Sequence, residues 1–158
     1  MATIDDIGNS LGKIPSGVGV LTSKNGAEES AMLASWFQQA SFDPPMITVA
    51  VNKERPIQSL IQASKKFCVS IFHTNQKELF SHFAKGFQPG ENPFDGIGFE
   101  RRATECAVIS DAMSYLDCEL INSVDAGDHT VYLGRVIDAG TLNDGKSMVH
   151  LRSNGFRY

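Results

Sequence analysis

The segment Asp43-Pro-Pro-Met-Ile-Thr-Val-Ala-Val-Asn52 leaves little choice of local fold. Pro44 and Pro45 carry no N–H for a ladder, so a strand starts after them and not before. From Met46 to Asn52 the residues alternate, and Ile47, Thr48, Val49 and Val51 are β-branched, which suits a pleated strand with one buried face. Other segments share this character. Gly17–Ser23 reads as a strand that stops at the turn-favouring Asn25-Gly26 pair, and Ser30–Gln39 is expected to pair back against it. Phe67–His73, Tyr115–Val124, His129–Ile137 and Ser147–Leu151 complete the strand set. Between them lie only short helices: Asp5–Leu11, Pro56–Ser64 with Pro56 at its first position, and Gln76–Ala84 with Leu79, Phe80 and Phe83 on one side. Lys85–Gly98 is a Gly/Pro/Asn-rich loop. Closely spaced strands with short helices predict an all-β fold, an antiparallel barrel rather than a doubly wound sheet.

Length and charge narrow the function classes. At 158 residues and 42% hydrophobic, the sequence is expected to form one domain, residues 1–158, with a sizeable core. A net charge of −4, with no basic run longer than Lys65-Lys66 or Arg101-Arg102, argues against a nucleic-acid footprint. No apolar run approaches the roughly 18 residues of a membrane span, and the acidic Asp5-Asp6 start does not resemble a secretory signal, so the chain reads as cytoplasmic. Cys68, Cys106 and Cys118 are odd in number and form no metal-type spacing. Cys68 and Cys118 fall inside strands and read as small hydrophobes, whereas Cys106 beside Glu105 sits in a polar stretch that could be exposed. His73 and His82 lack an acidic companion, and no metal site is expected.

Two stretches carry candidate chemistry. Leu33-Ala-Ser-Trp36 can line a flat apolar ring, because Ala34 and Ser35 are small enough for backbone N–H groups to approach the ring edge. Asn52-Lys-Glu-Arg-Pro56 supplies a strand end, two cations and a helix start, a combination suited to an anion. Arg55 can grip two oxygens through its planar fork and Lys53 acts as a point charge. Together they ask for a planar, phosphorylated cofactor. Trp36 fits either a core position or the wall of such a slot. Ser41 can donate to the ligand or cap the turn at Asp43. Asp128-His129, after the Ala126-Gly127 corner, places an imidazole that can serve the ring or close a hairpin by bonding the backbone. Phe83 and Phe87 suit either the ring or the barrel mouth. Neither Gly17-Val-Gly nor Gly96-Ile-Gly has the third glycine or the strand-to-helix setting of a dinucleotide fingerprint.

The order of Gly17-Val-Gly-Val-Leu-Thr22, Ser30-Ala-Met-Leu-Ala-Ser-Trp36, Ser41-Phe-Asp-Pro-Pro45, Val51-Asn-Lys53, Gly127-Asp-His129, Gly134-Arg-Val136 and Leu151-Arg-Ser-Asn-Gly155 resembles the flavin reductase-like family of FMN-binding split barrels. More narrowly, Ser35-Trp-Phe-Gln-Gln-Ala-Ser-Phe42 and Val51-Asn-Lys-Glu-Arg55 are similar to the C-terminal flavin reductase module of the flavodiiron proteins of cyanobacteria and other oxygenic phototrophs. The resemblance implies a Greek-key split barrel, excised from a longer chain. It implies a homodimer that binds FMN and takes a hydride from NAD(P)H as substrate. The di-iron and flavodoxin-like domains of the parent chain would receive the electrons and reduce oxygen to water. It assigns Leu33 to Trp36 to the isoalloxazine; beside them Ser41 is a candidate donor to the flavin or its ribityl chain, Asn52, Lys53, Arg55 and Ser59 are candidates for the phosphate end, and Asp128 and His129 for hydrogen-bonding the flavin or orienting the nicotinamide, with His129 as the catalytic group. Where many members have Ser or Thr in the turn before the second helix, Pro56-Ile57 stand here. Two alternatives remain: an FMN relay fed by a protein donor without hydride chemistry, and a free-standing flavin reductase.

Overall fold

In a computed structural model describing residues 1–158, helix α1 (Ile4–Leu11) precedes β1 (Ser16–Gly17), β2 (Gly19–Asn25), β3 (Glu28–Ala34), β4 (Phe37–Phe42) and β5 (Pro45–Asn52). Helix α2 (Ile57–Ser64), β6 (Lys66–Ile71) and α3 (Lys77–Ala84) follow. The remaining strands are β7 (Phe99–Arg101), β8 (Ala107–Ile109), β9 (Ser114–Ala126), β10 (His129–Thr141) and β11 (Val149–His150). Short ribbons β1–β11 and β7–β8 flank one seven-stranded sheet in the order β3-β2-β6-β9-β10-β5-β4, antiparallel throughout.

The edge strands of that sheet are consecutive in the chain. Only Ser35 and Trp36 separate the end of β3 from the start of β4, and three Cα–Cα steps reach about 11 Å at most. The sheet must therefore curl until its edges nearly meet, as a barrel split along a seam at these two residues. The Ala50 N–H, donating to the Trp36 carbonyl at 2.9 Å, ties the seam to β5. This corrects the expectation of one strand over Ser30–Gln39. Its first half pairs with β2 as expected, and its second half crosses to the opposite edge and pairs with β5.

Strand β2 shows why the sheet is packed on both faces. Leu21 points into the barrel with Val49, Val51, Phe67, Val69 and Tyr132, while Val18 and Val20 point outward to Phe72, Phe83 and Ile109. Burial on both faces explains its nearly unbroken apolar run. Helix α2 closes the inner core with Ile57 and Ile61, and α3 with the loop after it covers the outer one through Phe83, Phe87 and Phe94. Each such side chain contributes about 1.5–3 kcal/mol on leaving water. Gly134 on β10 is required by this packing: a Cβ there would lie 2.3 Å from the Phe67 ring.

Local signals place the helices. Thr3 caps α1, its hydroxyl accepting the Asp6 N–H at 3.1 Å while its own N–H donates to the Asp6 carboxylate at 2.9 Å. Pro56 is the cap of α2 rather than its first helical residue. Cys68 and Cys118 are buried as expected. Cys106 is buried as well, because Glu105 takes a left-handed turn (φ 66°) that folds the next residue beneath the sheet. Burial drives all three thiols above their ordinary range, which leaves them protonated and unreactive.

Candidate functional site

The seam opens onto an apolar cavity of about 380 Å³, within the range of roughly 300–1,000 Å³ usual for small-molecule sites. Leu33, Ala34, Ser35 and Trp36 form one wall, and Phe80 and Phe83 of α3 face them. All four residues predicted for a ring slot are therefore together. They meet because a strand must end here for the barrel to close, and the small Ser35 stands at the break. Phe83 lines the slot as well as the core; Phe87 lies outside it.

A polar groove of about 600 Å³ adjoins the slot, lined by Lys53, Arg55, Ser59, Asp125 and Thr130 among others. Arg55 borders both spaces, so one guanidinium joins slot to groove. It reaches the site on a turn fixed by Asn52, whose side-chain oxygen accepts the Glu54 N–H at 2.9 Å and whose backbone carbonyl accepts the Arg55 N–H at 3.0 Å. Asn52 thus builds the turn and borders a smaller recess beside Arg55 and Gly86. The two cations differ in commitment. Lys53 Nζ donates to Asp125 at 2.6 Å and holds that exposed carboxyl below its ordinary range, whereas Arg55 has no carboxylate partner. Ser59 faces the groove with its hydroxyl donating to the Pro56 carbonyl at 3.0 Å.

Ser41 lines neither space. It lies on β4 opposite Met46, five residues beyond Trp36, and a strand rising about 3.3 Å per residue carries it some 16 Å from the seam. Within this chain it therefore stands away from the slot.

His129 begins β10 opposite Asn52, with its ring tilted by 39° against Trp36 at 4.9 Å between centroids. It is 7% exposed and stands behind the slot wall rather than in it. Neither nitrogen bonds backbone: Nδ1 meets the Asp128 carboxylate at 2.8 Å and Nε2 meets the Tyr158 hydroxyl at 2.8 Å. That hydrogen bond to the imidazole holds the exposed Asp128 carboxyl below its usual range. Tyr158 itself lines the slot, with its ring 5.5 Å from Trp36, and Arg152 lies 5.1 Å from the Trp36 ring. Tyr158 and His150, which also lines the slot, were not anticipated; the nearest sequence signal is Leu151–Gly155, the closing segment that runs between them.

Comparisons with known proteins give the family and the fold. The family described as "Flavin reductase like domain" matches residues 11–157. The chain is 37% identical over 159 residues to "Putative diflavin flavoprotein A 3" of Nostoc sp., and 36% identical over 155 residues to "Diflavin flavoprotein A 1" of Synechocystis sp.. Each alignment covers 97% of this chain and 27% of the relative, so the chain spans about a quarter of the length of these relatives. Among solved structures, the NADH:FAD oxidoreductase SgcE6 of Streptomyces globisporus superposes with a TM-score of 0.84 at 29% identity, covering 93% of this chain and 87% of that one. Flavin reductase PheA2 superposes with a TM-score of 0.77 at 30% identity, covering 92% and 90%.

Proposed function

Because this chain belongs to the flavin reductase-like domain family, we propose that it binds FMN and accepts a hydride from NADH or NADPH, as one module of a longer flavodiiron protein. The observation that carries the reading is the junction at Arg55. An apolar slot on one side and a polar groove with a free cation on the other match a flat isoalloxazine joined by a short chain to a phosphate. The donor set fits the group: small residues at the slot edge, an unpaired guanidinium where the phosphate would lie, and aromatic rings around the plane.

When bound, the flavin supplies the redox chemistry, taking two electrons as hydride at its ring. The protein's part is to bind, orient and exclude water. Leu33, Phe80 and Phe83 keep the slot dry, and Ala34 and Ser35 let main-chain groups reach the ring edge. Arg55, with its fork free, holds the phosphate end more firmly than Lys53, which must first leave Asp125. Trp36, backed by His129 and Arg152, fixes the side of the slot nearest the mouth, where a nicotinamide would stack close enough for transfer.

In this reading the module is residues 1–158, works as a homodimer in the cytoplasm, and passes electrons to the di-iron and flavodoxin-like domains of its parent chain, which reduce oxygen to water. The diflavin names and greater length of the cyanobacterial relatives support that setting. Anaerobic stopped-flow mixing of the FMN-loaded protein with NADH and with NADPH tests it. Loss of the oxidised flavin's visible absorbance within seconds is expected with at least one of them. A flavin that stays oxidised with both would exclude the reductase and leave a relay fed by a protein donor.

A further inference from the structure

Among the polar groups that line the slot is a phenol that nothing in the sequence singled out. Asp128, His129 and Tyr158 form one chain of contacts, with Asp128 Oδ1 to His129 Nδ1 at 2.8 Å and His129 Nε2 to the Tyr158 hydroxyl at 2.8 Å. Only the last member lines the slot. Tyr158 is 69% exposed at the mouth, while its hydroxyl turns inward to the buried imidazole. Resting on the flavin-binding reading above, we infer that Tyr158 is the residue that hydrogen-bonds the planar ligand, and that His129 is a positioning residue whose protonation decides whether this phenol accepts or donates.

The logic follows from donor counting. With the Asp128 carboxylate on Nδ1, a neutral imidazole carries its one proton there, and Nε2 accepts the Tyr158 O–H. The phenol then offers the slot lone pairs alone. A second proton on the imidazole reverses the contact: Nε2–H donates to the phenol oxygen, and the O–H is free to donate into the slot. The charged groups around this chain are few. Asp128 flanks His129 in sequence, and Lys53, whose backbone N–H donates to the Asp128 carbonyl at 2.9 Å, comes from the turn after β5 with Asp125 of β9 on its ammonium. Arg55 and Arg152 act on the phenol. Trp36, Asn52 and Ala126, the other neighbours of His129, do not titrate, and the remaining imidazole on the slot is His150 of β11, which Tyr158→Phe leaves in place.

An isoalloxazine edge presents more acceptors than donors, so the donating phenol binds it better. Affinity should rise as pH falls from about 8 to about 5, the interval in which imidazoles in general change charge. Riboflavin is the appropriate probe, since it lacks the phosphate that titrates in the same interval. Trp36, the chain's single tryptophan, lies in the slot wall and reports occupancy through its fluorescence. The unaltered protein should bind riboflavin about three- to tenfold more tightly at the acid end of that interval, the worth of one net hydrogen bond. Tyr158→Phe should flatten this dependence while keeping the ring, and His129→Gln, which bonds but does not titrate, should flatten it as well. A pH step unchanged in Tyr158→Phe, or no step in the unaltered protein, would overturn the relay and leave the flavin site standing. Failure of the unaltered protein to take up riboflavin, FMN or FAD at any pH would overturn the proposed function and the relay together.

Discussion

Slot and groove meet at Arg55 but are built in opposite ways. The slot's walls belong to the fold: Ala34 and Phe83, 3% and 1% exposed, are members of the inner and outer cores respectively. The groove's groups are additions to it. Lys53 keeps 41% of its side chain exposed, and Ser59 is an exposed position on α2. A ring site made from core residues cannot be changed without changing stability, whereas an anion site made from a turn can be tuned almost freely. The shape of the ligand is thus fixed by folding, and the strength with which its charged end is held is set separately.

The largest effect should therefore come from the slot. Phe83→Ala removes a fully buried ring between α3 and the sheet and should lower stability by about 3–5 kcal/mol in denaturant titrations. Arg55→Ala should move the same midpoint by less than about 0.5 kcal/mol. If both changes proved equally harmless to stability, the slot would not be part of the core and the contrast would collapse.

Next in size is the phosphate. Arg55→Ala should weaken FMN relative to riboflavin by about 1.5–3 kcal/mol, the range for a hydrogen bond to a charged group, measured as the difference between two binding isotherms. Lys53→Ala should do less, because Lys53 gives up Asp125 to reach the ligand. Equal losses for FMN and riboflavin would take the phosphate away from this turn.

Much of this contrast was legible in the residues, and the gaps have physical causes. The Lys53–Arg55 turn declared itself because a β-branched strand ends at Asn52 and Pro56 opens a helix, both local signals. Leu33–Trp36 declared itself through small residues beside a tryptophan. The break at Ser35-Trp36 did not, since it carries no Gly, Pro, Asn or Asp and apolar character continues through Met32, Leu33 and Phe37 on both sides. Only closure of the sheet forces the crossing, and closure is a tertiary event. Strands β7 and β8, three residues each, are too short to show a period, and they are held by pairing with each other and by the Ile109 N–H donating to Ser70 Oγ at 3.0 Å. Ser41 was misplaced for the same reason as the seam: once the chain changes edges, β4 leads away from the slot. Tyr158 and His150 reach the slot from the far end of the chain, a convergence that no spacing rule announces.

The smallest effect sharpens the comparison within the groove itself. Asp125→Asn releases Lys53 without touching the slot, and FMN affinity should rise by a factor of a few while riboflavin affinity stays constant. Only a small factor is expected, because an exposed ion pair is weak to begin with. The sign of the pH dependence follows from the carboxyl. Lys53 holds the Asp125 carboxyl below its ordinary value of 3.8, so the pair's stabilisation is fully present above that value and is lost as pH falls through the lower folded value. Across neutral and mildly acidic pH the carboxylate remains charged and Lys53 remains engaged, so the advantage of Asp125→Asn should persist there undiminished. A variant that bound FMN no better than the unaltered protein at neutral pH would mean that Lys53 faces no anion, and that Arg55 alone marks the charged end of the site.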